Sequence, residues 1–157
     1  MDCELFLESN LSSKSLAEII QKIVAESVNQ NVSLHNNEEE IVISTEFFSL
    51  ALEIDDISDI AFVRNHYNLN VNQCIRIQLF GNTFYQGLEY LFKVIGKIMN
   101  KIDGNLLFLE NGSDQLLRKE NGQLIVNNDL NQYQKRYLTK SLLGLLDHSY
   151  IEDRLSN

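Results

Sequence analysis

Asn111-Gly112 and Asn121-Gly122 punctuate three short runs of strand-forming residues, Leu106–Leu109, Gln115–Lys119 and Gln123–Val126. Asparagine and glycine both tolerate positive φ, which the tight primed turns of β-hairpins demand. Two such turns in succession predict a three-stranded antiparallel meander. Just upstream, Phe84, Leu88, Leu91, Phe92, Ile95, Ile98, Met99 and Ile102 recur at helical spacing. That stripe predicts an amphipathic helix with one face to bury, and Asp103-Gly104 stops it. After the meander, Asp129 to Leu146 reads as a closing helix with Tyr133, Tyr137, Leu138, Ser141, Leu142 and Leu145 on one side.

The first half of the chain is strand-rich. Residues 3–8 read as a strand. Leu16, Ile19, Ile20, Ile23, Val24 and Val28 then form one helical stripe. Ser15 and Glu18 have capping-box spacing at its start, with an earlier serine as the other choice of cap. Val32–His35 is a short strand, and 36–40 is a polar, acidic turn. Residues 41–54 alternate as β, with a slip near Thr45-Glu46-Phe47 that marks a bulge or a tight turn, and a helix over 46–54 is the competing reading. Ile57, Ile60, Ala61 and Arg64 allow a short helix, and residues 73–80 form a strand. Strands cluster between helices and do not strictly alternate with them. The expected fold is therefore α+β: a mostly antiparallel sheet, two to three long helices packed on one face, and a C-terminal meander followed by a helix.

A chain of 157 residues suits one domain spanning 1–157 and can bury a core without staples. Residues 148–157 read as a peripheral or frayed tail. The net charge of −9 opposes binding to nucleic acid and to anionic lipid, and would steer the protein toward a basic partner. The same charge also serves solubility alone. No apolar run approaches a membrane span, and the acidic start Met1-Asp2-Cys3-Glu4 is unlike a signal peptide. Cys3 and Cys74 lie in apolar stretches without metal-ligand spacing and read as reduced core thiols, with a pairing between them left open. A cytoplasmic location fits these features.

The sequence holds no recognisable catalytic apparatus. His35, His66 and His148 are not spaced as ligands, and no nucleophile elbow or glycine-rich phosphate loop occurs. No catalytic residue, metal site or cofactor is expected. Carboxylates cluster twice, at Glu38, Glu39 and Glu40, and along residues 53–59 with Asp55, Asp56 and Asp59. The second run lacks the glycine and spacing of a calcium loop. Its remaining readings are solvated surface, a partner-binding face, or a dispersed acidic site. The six tyrosines can serve as interface anchors or simply border the core.

Residues 75–127 carry a resemblance. Ile75-Arg76-Ile77-Gln78-Leu79 precedes the long helix. Then come Gly104-Asn105-Leu106-Leu107-Phe108-Leu109 and the hairpin Leu116-Leu117-Arg118-Lys119-Glu120-Asn121-Gly122-Gln123-Leu124-Ile125-Val126-Asn127. The order resembles that of the Sit-type immunity proteins, which neutralise toxins passed between neighbouring bacterial cells. There an Arg-bearing strand, a helix, a G-D-x-x-L strand and an L-x-R-x-x-G-x-L-x-L-N hairpin follow one another; this chain has Gly104-Asn105 in place of Gly-Asp. The resemblance implies a small non-enzymatic protein that binds a cognate toxin, a basic one where charge complementarity is used, and it brings no catalytic residues. Glu38, Glu39, Glu40, Asp55, Asp56 and Asp59 are the expected contacts. The alternative is an adaptor or secretion chaperone for an effector protein.

Overall fold

Alternating side chains along each strand divide one sheet into two faces, and both faces acquire apolar cover. The computed structural model describes residues 1–156. Its nine strands are β1 (Asp2–Leu7), β2 (Ser33–Asn36), β3 (Glu40–Ser44), β4 (Phe48–Glu53), β5 (Gln73–Leu79), β6 (Leu106–Glu110), β7 (Asp114–Glu120), β8 (Gln123–Asn127) and β9 (Tyr150–Asp153). They lie in the order β2-β3-β4-β5-β1-β6-β7-β8-β9. Every neighbouring pair is antiparallel except β8 and β9. The expected α+β class and antiparallel sheet are therefore the observed ones.

Local chemistry explains the elements. Helix α1 (Ser13–Val28) starts where the Ser12 side chain accepts from the Ser15 amide at 3.1 Å, so the earlier serine is the cap. It ends at Asn29, whose φ of 54° is left-handed. The slip at 45–47 is a tight turn joining β3 to β4, closed by the Thr45 amide on the Phe48 carbonyl at 3.0 Å. Both Asn-Gly pairs take positive φ, 50° and 73° at Asn111 and Gly112, and 50° and 79° at Asn121 and Gly122. The meander β6-β7-β8 follows from them.

Helices α1 and α3 (Phe84–Lys101), with α4 (Lys140–Leu145), cover the inner face. There Phe48, Phe92 and Phe108 are fully buried, and the rings of Phe92 and Phe108 meet edge to face with centroids 6.4 Å apart. Such an aromatic pair adds about 0.5–1.5 kcal/mol beyond its buried area. Cys3 faces this core. Cys74 faces the other one, so the two thiols lie on opposite sides of the sheet and both are free.

Three expectations need correction. Helices do not all pack on one face: α2 (Ile60–Tyr67) lies on the outer face, where Val63 and Tyr67 cover Phe6, Cys74, Leu107 and Leu109. Arg118 holds it there by donating to the Tyr67 and Asn68 carbonyls at 2.6 and 3.1 Å, a cation at the helix C-terminus. The closing helix is broken. Asn131 Oδ1 accepts from the amides of Tyr133 and Gln134, a 3-10 turn spans Gln134–Tyr137, and α4 begins only after Thr139, which caps Leu142. Asn131 thus competes for backbone donors that a continuous helix would use. Finally, the expected tail contains β9, paired with β8. Asn127 anchors the residues beyond β9, accepting from the Leu155 amide at 3.1 Å. Asn157 lies outside the described residues.

Candidate protein-binding surface

The β3-β4 hairpin brings the two acidic runs together. Glu40 pairs with Glu53 in its register, and the amides of Ile54 and Asp55 donate to the Glu39 carbonyl at 2.8 and 3.1 Å. Residues 38–40 and 53–59 therefore form one corner at the β2 end of the sheet.

The six expected contact residues do not do the same work there. Glu40 turns to Arg76, whose Nη2 donates to it at 2.6 Å. Asp56 Oδ1 accepts from the Ile60 amide at 2.8 Å. Asp59 caps α2 by accepting from the Phe62 amide at 3.1 Å. Carboxylates at a helix N-terminus are stabilised by its dipole, so Asp56 and Asp59 have structural duties. Glu38, Glu39 and Asp55 are exposed, and among the described residues their carboxylates carry no hydrogen bond or ion pair. These three are the acids free to meet a partner.

Arg76 organises the floor beside the corner. It reaches Glu40 and also lies 3.4 Å from Glu53 through Nε. The hydrogen bond to Glu40 raises its guanidinium above the ordinary value, so it stays charged. The Glu53 carboxylate also accepts from the Ser58 amide at 3.1 Å and the Ser58 hydroxyl at 2.5 Å. Glu53 is thus a buried anchor for the loop that carries Asp55 and Asp56. Alternation with the inward-facing Leu50 and Leu52 puts Glu53 on the outer face beside Ala51 and does not foretell its burial, which comes with Arg76 and the Ser58 loop.

The charge distribution is uneven. Between Lys22 and Arg64 the chain contains nine acids and no Lys or Arg, while the rest balances thirteen acids against thirteen cations. Seven of these nine acids, all but Glu26 and Glu46, stand at this corner, where Arg76 and Arg64 are the neighbouring cations. Apolar side chains stand among these acids. Ile54, Ile57 and Phe62 are 47%, 46% and 58% exposed, and Phe62 stacks on His66 with centroids 5.3 Å apart. Leu11, Ile54, Asp55, Asp56 and Gln73 line a groove of about 490 Å³ at this corner. A second groove of about 620 Å³ crosses the outer sheet face, over Ser49 and Ala51 and between Glu4, Arg76 and Gln78.

The other sequence candidates lie elsewhere. Tyr85 and Tyr133 are the most exposed tyrosines, while Tyr67 is buried and donates to the Ser113 carbonyl at 2.9 Å. Lys119 is buried in β7. Among the described residues no cluster of three or more His, Cys, Asp or Glu is placed to hold a metal ion, and no helix is long and apolar enough to cross a membrane. No family model matches the chain, and no curated protein or solved structure gives a significant match.

Proposed function

We propose that this protein acts by binding and not by catalysis, as a cytoplasmic immunity protein that neutralises a cognate bacterial toxin through protein–protein contact at the acidic corner. The observation that carries this reading is the gathering of seven carboxylates, Glu38, Glu39, Glu40, Glu53, Asp55, Asp56 and Asp59, at one corner of the sheet, with Arg76 taking up only Glu40 and Glu53. A charge needed only for solubility can be spread anywhere. Charge gathered around exposed Ile54, Ile57 and Phe62 has the composition of a steered interface: acids accelerate encounter with a basic partner and apolar side chains hold it. The same field disfavours nucleic acid as the ligand.

The test is capture of partners from the host with tagged full-length protein, read by mass spectrometry, beside a variant carrying Glu38→Lys, Glu39→Lys and Asp55→Lys. Recovery of one toxin at near-equal amount, lost in the variant, supports the reading. Recovery of secretion components in place of a toxin favours an adaptor or secretion chaperone.

A further inference from the structure

We infer that the open edge of β2 accepts an extended basic segment of the partner as a tenth strand, an inference resting on the proposal that a basic partner docks at the acidic corner. The sheet has two edges, β2 and β9. Proteins guard exposed edges with charge or proline, because unpaired amides and carbonyls template further pairing. β9 is guarded: it carries Glu152 and Asp153, and Arg154 comes next, paired to Asp129 at 2.8 Å. β2 is Ser33-Leu34-His35-Asn36, with neither a formal charge nor a proline, and all four residues are exposed.

Its hydrogen-bonding direction is defined. The Asn37 amide donates to the Glu40 carbonyl at 3.0 Å, and the register then pairs Asn36 with Ile41, His35 with Val42 and Leu34 with Ile43. Antiparallel pairs alternate, so Ser33 and His35 bond to β3 while the amides and carbonyls of Leu34 and Asn36 point outward. Among the described residues nothing bonds to those two amides. Leu34, 37% exposed, offers an apolar cross-strand neighbour.

Charge selects the occupant. A strand laid along β2 runs past Glu38 and Glu39, whose carboxylates carry no ion pair among the described residues, while the neighbouring cation Arg76 is engaged by Glu40 and Glu53. A second copy of this chain pairing edge to edge would bring two acidic ends together, so a basic segment of another protein is the occupant that fits. Short edges of this kind are used in strand-addition recognition, where main-chain bonds give affinity and side chains give specificity.

Amide exchange of the isotope-labelled full chain tests this with two capped six-residue probes at millimolar concentration, Lys-Val-Lys-Val-Lys-Val and Glu-Val-Glu-Val-Glu-Val. The basic probe should slow exchange at Leu34 and Asn36 about tenfold at nine-tenths occupancy. The acidic probe should leave them unchanged, and Ser33 and His35 should not respond to either. Leu34→Pro removes an outward amide and keeps the β3 pairing, so it should abolish the protection in a folded protein. Protection at β9, or equal protection by both probes, overturns the inference. Perturbation confined to residues 38–59 with Leu34 and Asn36 still exchanging freely also overturns it, while leaving the acidic corner as the partner site.

Discussion

Arg76 and Glu53 sit diagonally on neighbouring strands with Nε 3.4 Å from Oε1, and they share that contact unequally: the Glu53 side chain is 2% exposed and the Arg76 side chain 43%. Removing the arginine strands a buried carboxylate. Arg76→Ala should therefore destabilise the fold by about 1–2 kcal/mol, less than for a fully buried pair because solvent screens the exposed partner. Urea unfolding measures it, and Arg76→Lys should recover part of the loss. An unchanged midpoint for Arg76→Ala would show that Ser58 alone supports Glu53.

The free acids should behave in the opposite way. Glu38→Lys, Glu39→Lys and Asp55→Lys together should leave stability within about 0.5 kcal/mol of the parent, as exposed changes do. They should slow association with a basic partner roughly ten- to hundredfold at low salt, with the difference shrinking as salt rises. Association rates at two salt concentrations decide it; a defect that high salt does not reduce would point to misfolding.

Phe62 is the natural apolar anchor, being 58% exposed at the start of α2. Phe62→Ala should cost the partner complex about 2 kcal/mol or more in affinity, the scale of an aromatic hot spot. Calorimetry of binding, beside a thermal melt of the free protein, separates this from a folding effect; equal affinity would place the apolar contact elsewhere.

Gly96 fixes how closely α3 and α4 approach. A Cβ at that position would fall 2.3 Å from the Leu146 carbonyl oxygen, a backbone atom that cannot rotate away. Gly96→Ala should cost about 1–3 kcal/mol, the range of overpacking, despite the better helix propensity of alanine. A denaturation midpoint at or above the parent's would mean that α4 can shift freely.

The thiols make a prediction about pH. Burial pushes Cys3 up to about 12 and raises Cys74 as well. A raised acid pKa means that the folded state keeps protons the unfolded state releases. This contribution is complete below the unfolded thiol value of about 8.5 and declines as pH rises above it. Unfolding midpoints at pH 8 and 10 should show that loss, and Cys3→Ala with Cys74→Ala should remove the part due to the thiols. Neither thiol should react with iodoacetamide at pH 8 until urea is added.

Much of this architecture is readable from residue order, because Asn-Gly turns and a long amphipathic stripe act locally. The outer-face position of α2 also left a trace. Leu106-Leu107-Phe108-Leu109 and Leu5-Phe6-Leu7 are unbroken apolar runs, the mark of strands buried on both faces. Reading them as one-sided strands hides the second layer. The broken closing helix turned on a side-chain competition at Asn131 that apolar spacing does not register. The acidic runs were visible one by one. Their meeting depended on the β3-β4 pairing, and the separate duties of Glu40, Asp56 and Asp59 depended on which donors the fold brought within reach.

The central position of β1 bears on how this chain reaches its native state. Its partners are β5 and β6, with Leu5 opposite both Ile75 and Phe108. The first strand in chain order must therefore wait for residues roughly seventy and a hundred positions later before it has neighbours on either side. Such long-range pairing slows folding and leaves apolar strands exposed meanwhile. During synthesis α1 can form early, but the middle of the sheet stays open until β6 has left the ribosome. Expression at low temperature, or with a holding chaperone, should improve yield for that reason.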